Sequence, residues 1–118
     1  ASCLVGSEMC IRDSLKGIAK KILHTNELEE FNKKAKDQTI FLAKKFAFKE
    51  AFVKALGTGF REPYYLDRIE IIKDKLGKPS VVTHEEAKKE FKNLGITKAH
   101  VSLSDTENYV VAFVVLET

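Results

Sequence analysis

Phe46-Ala47-Phe48-Lys49-Glu50-Ala51-Phe52-Val53-Lys54-Ala55-Leu56-Gly57-Thr58-Gly59 closes a run that, from Thr39 to Leu56, contains neither glycine nor proline. The run is rich in Ala, Leu, Phe, Lys and Glu, and Gly57 suits the left-handed residue that ends a helix. A long central helix over residues 39–56 is therefore expected. Glu50 and Lys54 stand four apart and so share a helical face with Ala43 and Ala47. A carboxylate and an ammonium placed together can engage one ligand. Glu50 is a hard oxygen donor suited to Mg²⁺, and Lys54 is a point charge suited to phosphate or, with a depressed pKa, to general-base work. The ordinary alternative is a surface ion pair worth about 0.2–0.5 kcal/mol, and spacing alone leaves both open. A P-loop is excluded, because these glycines end a helix instead of opening one after a strand.

Outward from this helix the pattern alternates between helix and strand. Residues 15–24 carry Leu15, Ile18, Ala19, Ile22 and Leu23 at helical spacing, with Lys16, Lys20 and Lys21 giving one basic face. Asn26-Glu27-Leu28-Glu29 offers a capping-box start to a second helix whose inner side includes Leu28, Phe31 and Ala35. Residues 66–72 and 80–83 flank Lys75-Leu76-Gly77-Lys78-Pro79 and read as a hairpin. Thr83-His84-Glu85-Glu86 opens another helix, with Ala87, Phe91 and Leu94 inward and Gly95 at its end. Residues 99–103 and 109–116 form two closing strands around the polar turn 104–108, the last nearly continuously apolar and read as buried. Helices with antiparallel strands define an α+β domain.

Composition sets bounds around this reading. The 118 residues, 44% of them hydrophobic, match one domain with a modest core. No apolar run reaches the roughly 20 residues of a membrane span. The net charge of +3 makes no demand for nucleic acid but leaves room for a local basic face. Both cysteines, Cys3 and Cys10, lie in the first ten residues, so the rest of the chain holds no disulfide; a reducing cytosol fits best. The N-terminus has neither the basic flank and apolar stretch of a secretory signal nor a transit-peptide pattern. Residues 1–14 lack both strand alternation and a helical stripe. They resemble the translation of a sequencing adapter and are read as a non-native segment, leaving residues 15–118 as the domain. The segment carries one base, Arg12, and two acids, Glu8 and Asp13, so the domain is slightly more basic than the whole chain.

Phe46-x-x-Lys49-Glu50-Ala51-x-x-Lys54 followed by Gly57-Thr58-Gly59 is similar to the signature of the phosphopantetheinyl transferase superfamily. Phe in the first position resembles its small bacterial synthases. Asp74-x-x-Gly77-Lys78-Pro79 resembles the family's hairpin, and His100-Val101-Ser102-Leu103-Ser104-Asp105 with Tyr109 resembles its penultimate strand and turn. The resemblance runs from Leu15 to Glu117 and implies the family fold, with an antiparallel sheet packed against the long helix. It implies transfer of 4′-phosphopantetheine from coenzyme A to a serine of acyl carrier protein, with release of 3′,5′-ADP, in the fatty-acid biosynthesis of the cytoplasm. By resemblance the carrier serine attacks the β-phosphate in line while Mg²⁺ bridges the pyrophosphate.

Carried over by position, Glu50 is the Mg²⁺ ligand and Lys54 contacts the transferring phosphate or assists deprotonation of the serine. Lys49, Gly57, Thr58 and Gly59 line the coenzyme A site, where glycines let backbone N–H groups approach phosphate. His100 sits by the nucleotide, facing a neighbouring subunit of a homotrimer; His24 and His84, at helix ends, are read as structural. Lys16, Lys20 and Lys21, with Lys44 and Lys45 adding charge, suit the acidic carrier protein. One element departs from the family. Its second metal-binding carboxylate is the Asp of an N-terminal Gly-x-Asp-x-Val/Ile strand, and no Gly-x-Asp occurs in the first half of this chain. Neither Asp13 nor Asp37 replaces it, so the first strand is read as lost or overwritten. Two alternatives follow: a catalytically impaired module that binds coenzyme A or carrier, and a synthase domain cut from a larger fatty-acid or polyketide synthase.

Overall fold

The computed structural model describes the backbone of residues 2–4, 12–105 and 109–118, with side chains described from Leu15 onward within these. The order is β1 (Ser2–Leu4), α1 (Arg12–Ile22), α2 (Thr25–Lys33), α3 (Gln38–Leu56), a 3₁₀ turn (Leu66–Arg68), β2 (Ile69–Lys73), β3 (Pro79–Thr83), α4 (Glu85–Asn93), β4 (Lys98–Asp105) and β5 (Tyr109–Glu117). The strands form an antiparallel three-stranded sheet ordered β1-β5-β4 and a separate β2-β3 hairpin. Among the described residues no helix is long and apolar enough to cross a membrane.

The long helix α3 is central because it is apolar on more than one side. Ala47, Phe48, Ala51, Phe52 and Val53 are buried against Val110 and Ala112 of β5, Ile69 and Ile71 of β2, Tyr64 and Ala87. Near its start, Phe41 and Leu42 join Ala19, Leu23 and Phe31 in a second cluster that seats α1 and α2. Gly57 ends the helix as expected, at φ 81°, a conformation costly for residues with a Cβ. The hairpin turn is tied by Asp74, whose Oδ1 accepts from the backbone N–H groups of Leu76 and Lys78 at 2.9 and 2.8 Å.

Four details differ from the sequence reading. α2 starts earlier than Asn26: His24 is its N-cap, with Nδ1 accepting from Asn26 N–H, and Glu27 closes the box by accepting from the His24 N–H. α4 is not capped by Thr83, which pairs with Ile69 at the end of the hairpin; the cap position is His84, whose ring turns to Glu70 instead. α1 begins at Arg12 and Ser2–Leu4 pair with β5, although most of the segment 1–14 lies outside the described residues, as do 106–108 of the last turn. Finally, β5 is buried on one face only. Val110 and Ala112 turn to α3, whereas Phe113 is 62% and Val115 56% exposed.

Candidate active site

One face of α3 looks outward, and Glu50 and Lys54 stand on it. The Glu50 Oε1–Lys54 Nζ distance is 3.8 Å, with Lys54 65% and Glu50 28% exposed. The expected shared face is therefore formed, with an exposed ammonium beside a half-sheltered carboxylate, both within reach of a ligand arriving from solvent. Glu50 presents hard oxygens, but among the described residues it belongs to no group of three potential metal ligands. Such a donor fits Mg²⁺, which takes one or two carboxylates and fills its octahedron with water and substrate phosphate. It does not fit an ion caged by protein alone.

Lys49, expected in the coenzyme A site, is engaged within the fold. Its side chain is fully buried, and its ammonium donates to Glu27 Oε1 at 2.6 Å, Ile22 O at 2.6 Å and Leu66 O at 2.9 Å. An ammonium has three donors, so none remains for a ligand. Burial pushes the Lys49 pKa below its ordinary value, opposed by the adjacent Glu27 carboxylate. Glu27 also accepts the Ile71 N–H through Oε2 at 2.9 Å, while Lys45 Nζ donates to Ile71 O at 2.8 Å. At Ile71 the outward backbone N–H and C=O of β2 are thus both satisfied by side chains. Lys45, counted as surface charge for a partner, is consequently buried, and Lys44 pairs with Asp105 at 3.4 Å.

The backbone donors expected from Gly57-Thr58-Gly59 are likewise taken. Gly57 N–H donates to Lys54 O, and those of Thr58 and Gly59 donate to Val53 O, all within 3.3 Å. These groups close the α3 C-terminus, where unpaired carbonyls need donors. Positive φ at both glycines, 81° and 65°, explains their identity, and the open space around them leaves room for a ligand to lie alongside. His100 stands opposite Val115 on the sheet face turned from α3, its Nε2 2.7 Å from Glu117 Oε1. Lys16, Lys20 and Lys21 are exposed together on α1. A cleft of about 540 Å³ between α2, α3 and β2 contains none of Glu50, Lys54 or Gly57–Gly59, so the candidate chemistry sits on an open face, not in this cavity. The sequence reading did not find the second role of Glu27, for a capping box gives no sign that its carboxylate also holds a lysine from another helix.

The family model of the 4′-phosphopantetheinyl transferase superfamily matches residues 8–114, and the chain belongs to that superfamily. It is 45% identical over 100 residues to a holo-[acyl-carrier-protein] synthase of Dechloromonas aromatica (strain RCB), covering 85% of this chain and 78% of the relative. The solved holo-[acyl-carrier-protein] synthase of Neisseria meningitidis superposes with a TM-score of 0.86 at 39% identity, over 99% of this chain and 95% of that one. That of Bacillus anthracis str. Ames, solved in complex with coenzyme A (3′,5′-ADP), gives 0.77 at 30% identity, over 99% and 93%. The expected fold and family are those found.

Proposed function

We infer that the chain transfers 4′-phosphopantetheine from coenzyme A to a serine of apo-acyl carrier protein, giving holo-acyl carrier protein and 3′,5′-ADP. The observation that carries the residue assignment is the Glu50–Lys54 pair, presented on the one open face of α3 within a family signature. The serine Oγ attacks the β-phosphorus of coenzyme A, a new P–O bond forms, the pyrophosphate bridge breaks, and the leaving oxygen departs on 3′,5′-ADP. The serine proton is lost to solvent or to a base of the assembled complex. Lys54 lends positive charge to the transferring phosphate, and Glu50 would hold Mg²⁺, which when bound supplies neutralisation of the pyrophosphate. The exposed Lys16, Lys20 and Lys21 suit an acidic carrier protein approaching α1. The reaction is proposed to serve fatty-acid biosynthesis in the cytoplasm.

The assembly we propose is a homotrimer with coenzyme A between subunits. His100 lies on the sheet face away from α3, so within one chain the sheet and the helix stand between it and Glu50; a site containing both draws His100 from a second copy. The exposed Phe113 and Val115 on that same face supply apolar area for such a contact. Light scattering tests this, and a stable monomer that still bound coenzyme A would overturn it.

A second reading rests on the single carboxylate. With residues 1–14 proposed to replace the family's Gly-x-Asp-x-Val/Ile strand, Glu50 alone would hold the ion loosely, leaving a module that binds without efficient turnover. Mass spectrometry of apo-carrier incubated with coenzyme A and Mg²⁺ separates the two. The chain as written is expected to add phosphopantetheine slowly or not at all, and the same chain with that strand restored ahead of Leu15 to add it fully. Failure of the restored chain would overturn the transferase assignment of Glu50 and Lys54. Full activity of the unaltered chain would overturn the reading of residues 1–14.

A further inference from the structure

Three segments that contribute nothing to the Glu50–Lys54 face bring two histidines and a carboxylate together. His24 caps α2, Glu70 lies on β2, and His84 joins β3 to α4. The imidazole rings stack with centroids 3.9 Å apart and planes 12° from parallel. Glu70 Oε1 is 2.8 Å from His84 Nε2 and 3.7 Å from His24 Nδ1, and one ligand atom from each residue lies within 4.8 Å of the other two. All three side chains are largely sheltered, at 18%, 11% and 28% exposure for His24, Glu70 and His84.

We propose that His24, Glu70 and His84 form a binding site for a divalent transition-metal ion, with Zn²⁺ the best match. Two imidazoles and one carboxylate are the donor set of zinc and its neighbours, whereas Mg²⁺ and Ca²⁺ take oxygen. Zinc–ligand bonds of roughly 2.0–2.2 Å at tetrahedral angles put ligand atoms about 3.3–3.5 Å apart. The observed 2.8 and 3.7 Å fall either side of that spacing, and because the stacked rings project their nitrogens in nearly parallel planes, closing on an ion requires the two imidazoles to rotate until those nitrogens converge. The two imidazoles start from different states: His24 Nδ1 already carries a lone pair, whereas His84 Nε2 faces the Glu70 carboxylate at 2.8 Å as a donor and ligates once its proton has moved to Nδ1 or is released on metal binding. His24 Nδ1 accepts the Asn26 N–H at 3.2 Å, so it carries a lone pair and the proton of the neutral ring sits on Nε2. Ligation competes with that one cap bond, while Glu27 continues to accept from the His24 N–H. The Asn26 side chain donates to both Glu70 oxygens at 3.3–3.4 Å, and the His84 backbone N–H is held by Arg68 O at 2.9 Å, so the carboxylate and the His84 backbone are oriented from behind. A cleft of about 420 Å³ reaches His24 and His84 from solvent, lined also by Lys20, Thr25, Leu28 and Asp67, and gives water access to the two imidazoles. Arg68, which also borders it, has its charge offset by Glu85 at 2.6 Å. Occupancy would clip the α1–α2 junction to β2 and to the start of α4.

Calorimetric titration of the untagged chain with ZnCl₂, on a Cys3→Ser, Cys10→Ser background that removes the thiols, tests the site. One saturable Zn²⁺ per chain is expected, with a raised Tm, no competition from millimolar Mg²⁺, and a visible Co²⁺ spectrum of the intensity typical of four-coordination. His24→Asn keeps an N-cap residue while removing a ligand, and His84→Gln removes the second. Each should weaken Zn²⁺ binding by more than the roughly 10–100-fold that loss of an orienting partner costs, with the metal-free Tm and helicity close to the parent. Absence of saturable binding, or affinity unchanged in both variants, would overturn the site.

Discussion

Of the four lysines of α3, Lys49 and Lys54 stand five positions apart, each facing a glutamate, and the two pairs do opposite work. Lys49 meets Glu27 at 2.6 Å with both side chains essentially out of solvent, whereas Lys54 meets Glu50 at 3.8 Å in the open. The buried pair is completed by every available partner: two carbonyls on the ammonium, and the His24 and Ile71 N–H groups on the carboxylate. It joins the end of α1, α2, α3, the 3₁₀ turn and β2 at one point. The open pair has spare donors and acceptors, and among the described residues it ties no other segment in place. Residues adjacent in one signature can therefore serve stability and chemistry separately, and burial decides which.

The sharpest way to break this comparison is to remove one carboxylate from each pair. Glu27→Ala leaves the Lys49 charge buried without its counter-ion and should cost about 3–5 kcal/mol, a large part of the roughly 5–15 kcal/mol that stabilises a domain. Glu50→Ala should change stability by less than about 0.5 kcal/mol. Urea denaturation of both variants reads the difference, and equal losses would mean that the pairs are not distinct in kind.

Activity should reverse the ranking. On the background with a restored N-terminal strand, Glu50→Gln is expected to lose most turnover by removing the metal-holding charge. Lys54→Ala should lower kcat by at least roughly 100-fold, the scale of one electrostatic contact to a transition state, and should raise KM less. Both variants should melt like their parent. A Lys54→Ala enzyme with normal kcat would confine that residue to ground-state binding.

Much of this division was legible in the sequence, and the illegible part has a physical cause. α3 and its Gly57 stop were found within one residue because a long stretch free of helix breakers depends little on context. The pairing of Glu50 with Lys54 followed from their separation of four. The burial of Lys49 was not legible because a family signature marks which residues matter without saying which way they point. Five residues put Lys49 and Lys54 about 140° apart around a helix, too far to face one ligand. The engagement of the Gly57–Gly59 amides by the carbonyls that end α3 was not legible for a related reason: it depends on how the chain leaves the helix. The buried role of Glu27 and the meeting of His24, Glu70 and His84 join segments distant in the chain, and no local pattern carries them.

The open side of the molecule offers a smaller effect. Lys20→Glu with Lys21→Glu should raise KM for the carrier by about tenfold, corresponding to ~1.4 kcal/mol, and flatten its salt dependence while leaving coenzyme A affinity unchanged. Initial rates at two ionic strengths measure this. Equal losses toward both substrates would point to damaged structure and remove the docking role from α1.

The smallest effect concerns Lys45, which lies beside the buried pair but has no carboxylate of its own. Its Nζ donates to Ile71 O and stands 5.2 Å from the centre of the Phe41 ring. Burial holds its pKa below 10.5, opposed by Glu27, Glu30 and Glu70 and reinforced by Lys73. At a pH below the folded value both states carry the charge, and the folded state bears the full penalty of burying it. As pH rises from there towards 10.5, the folded protein sheds the proton while the unfolded chain keeps it, so the unfolded state binds more protons and stability increases. Lys49 acts in the same direction, whereas burial of Tyr64 raises its phenol above 10.0 and so lowers stability once the unfolded phenol ionises. Comparison with Lys45→Met cancels the Tyr64 contribution and leaves the relaxation of the Lys49 shift, which Lys45 helps to lower, acting in the same direction as the loss of Lys45 itself. The stability of the parent relative to the variant should climb with pH across that window, and a difference that stayed flat would mean that Lys45 keeps its charge as readily in the fold as in water.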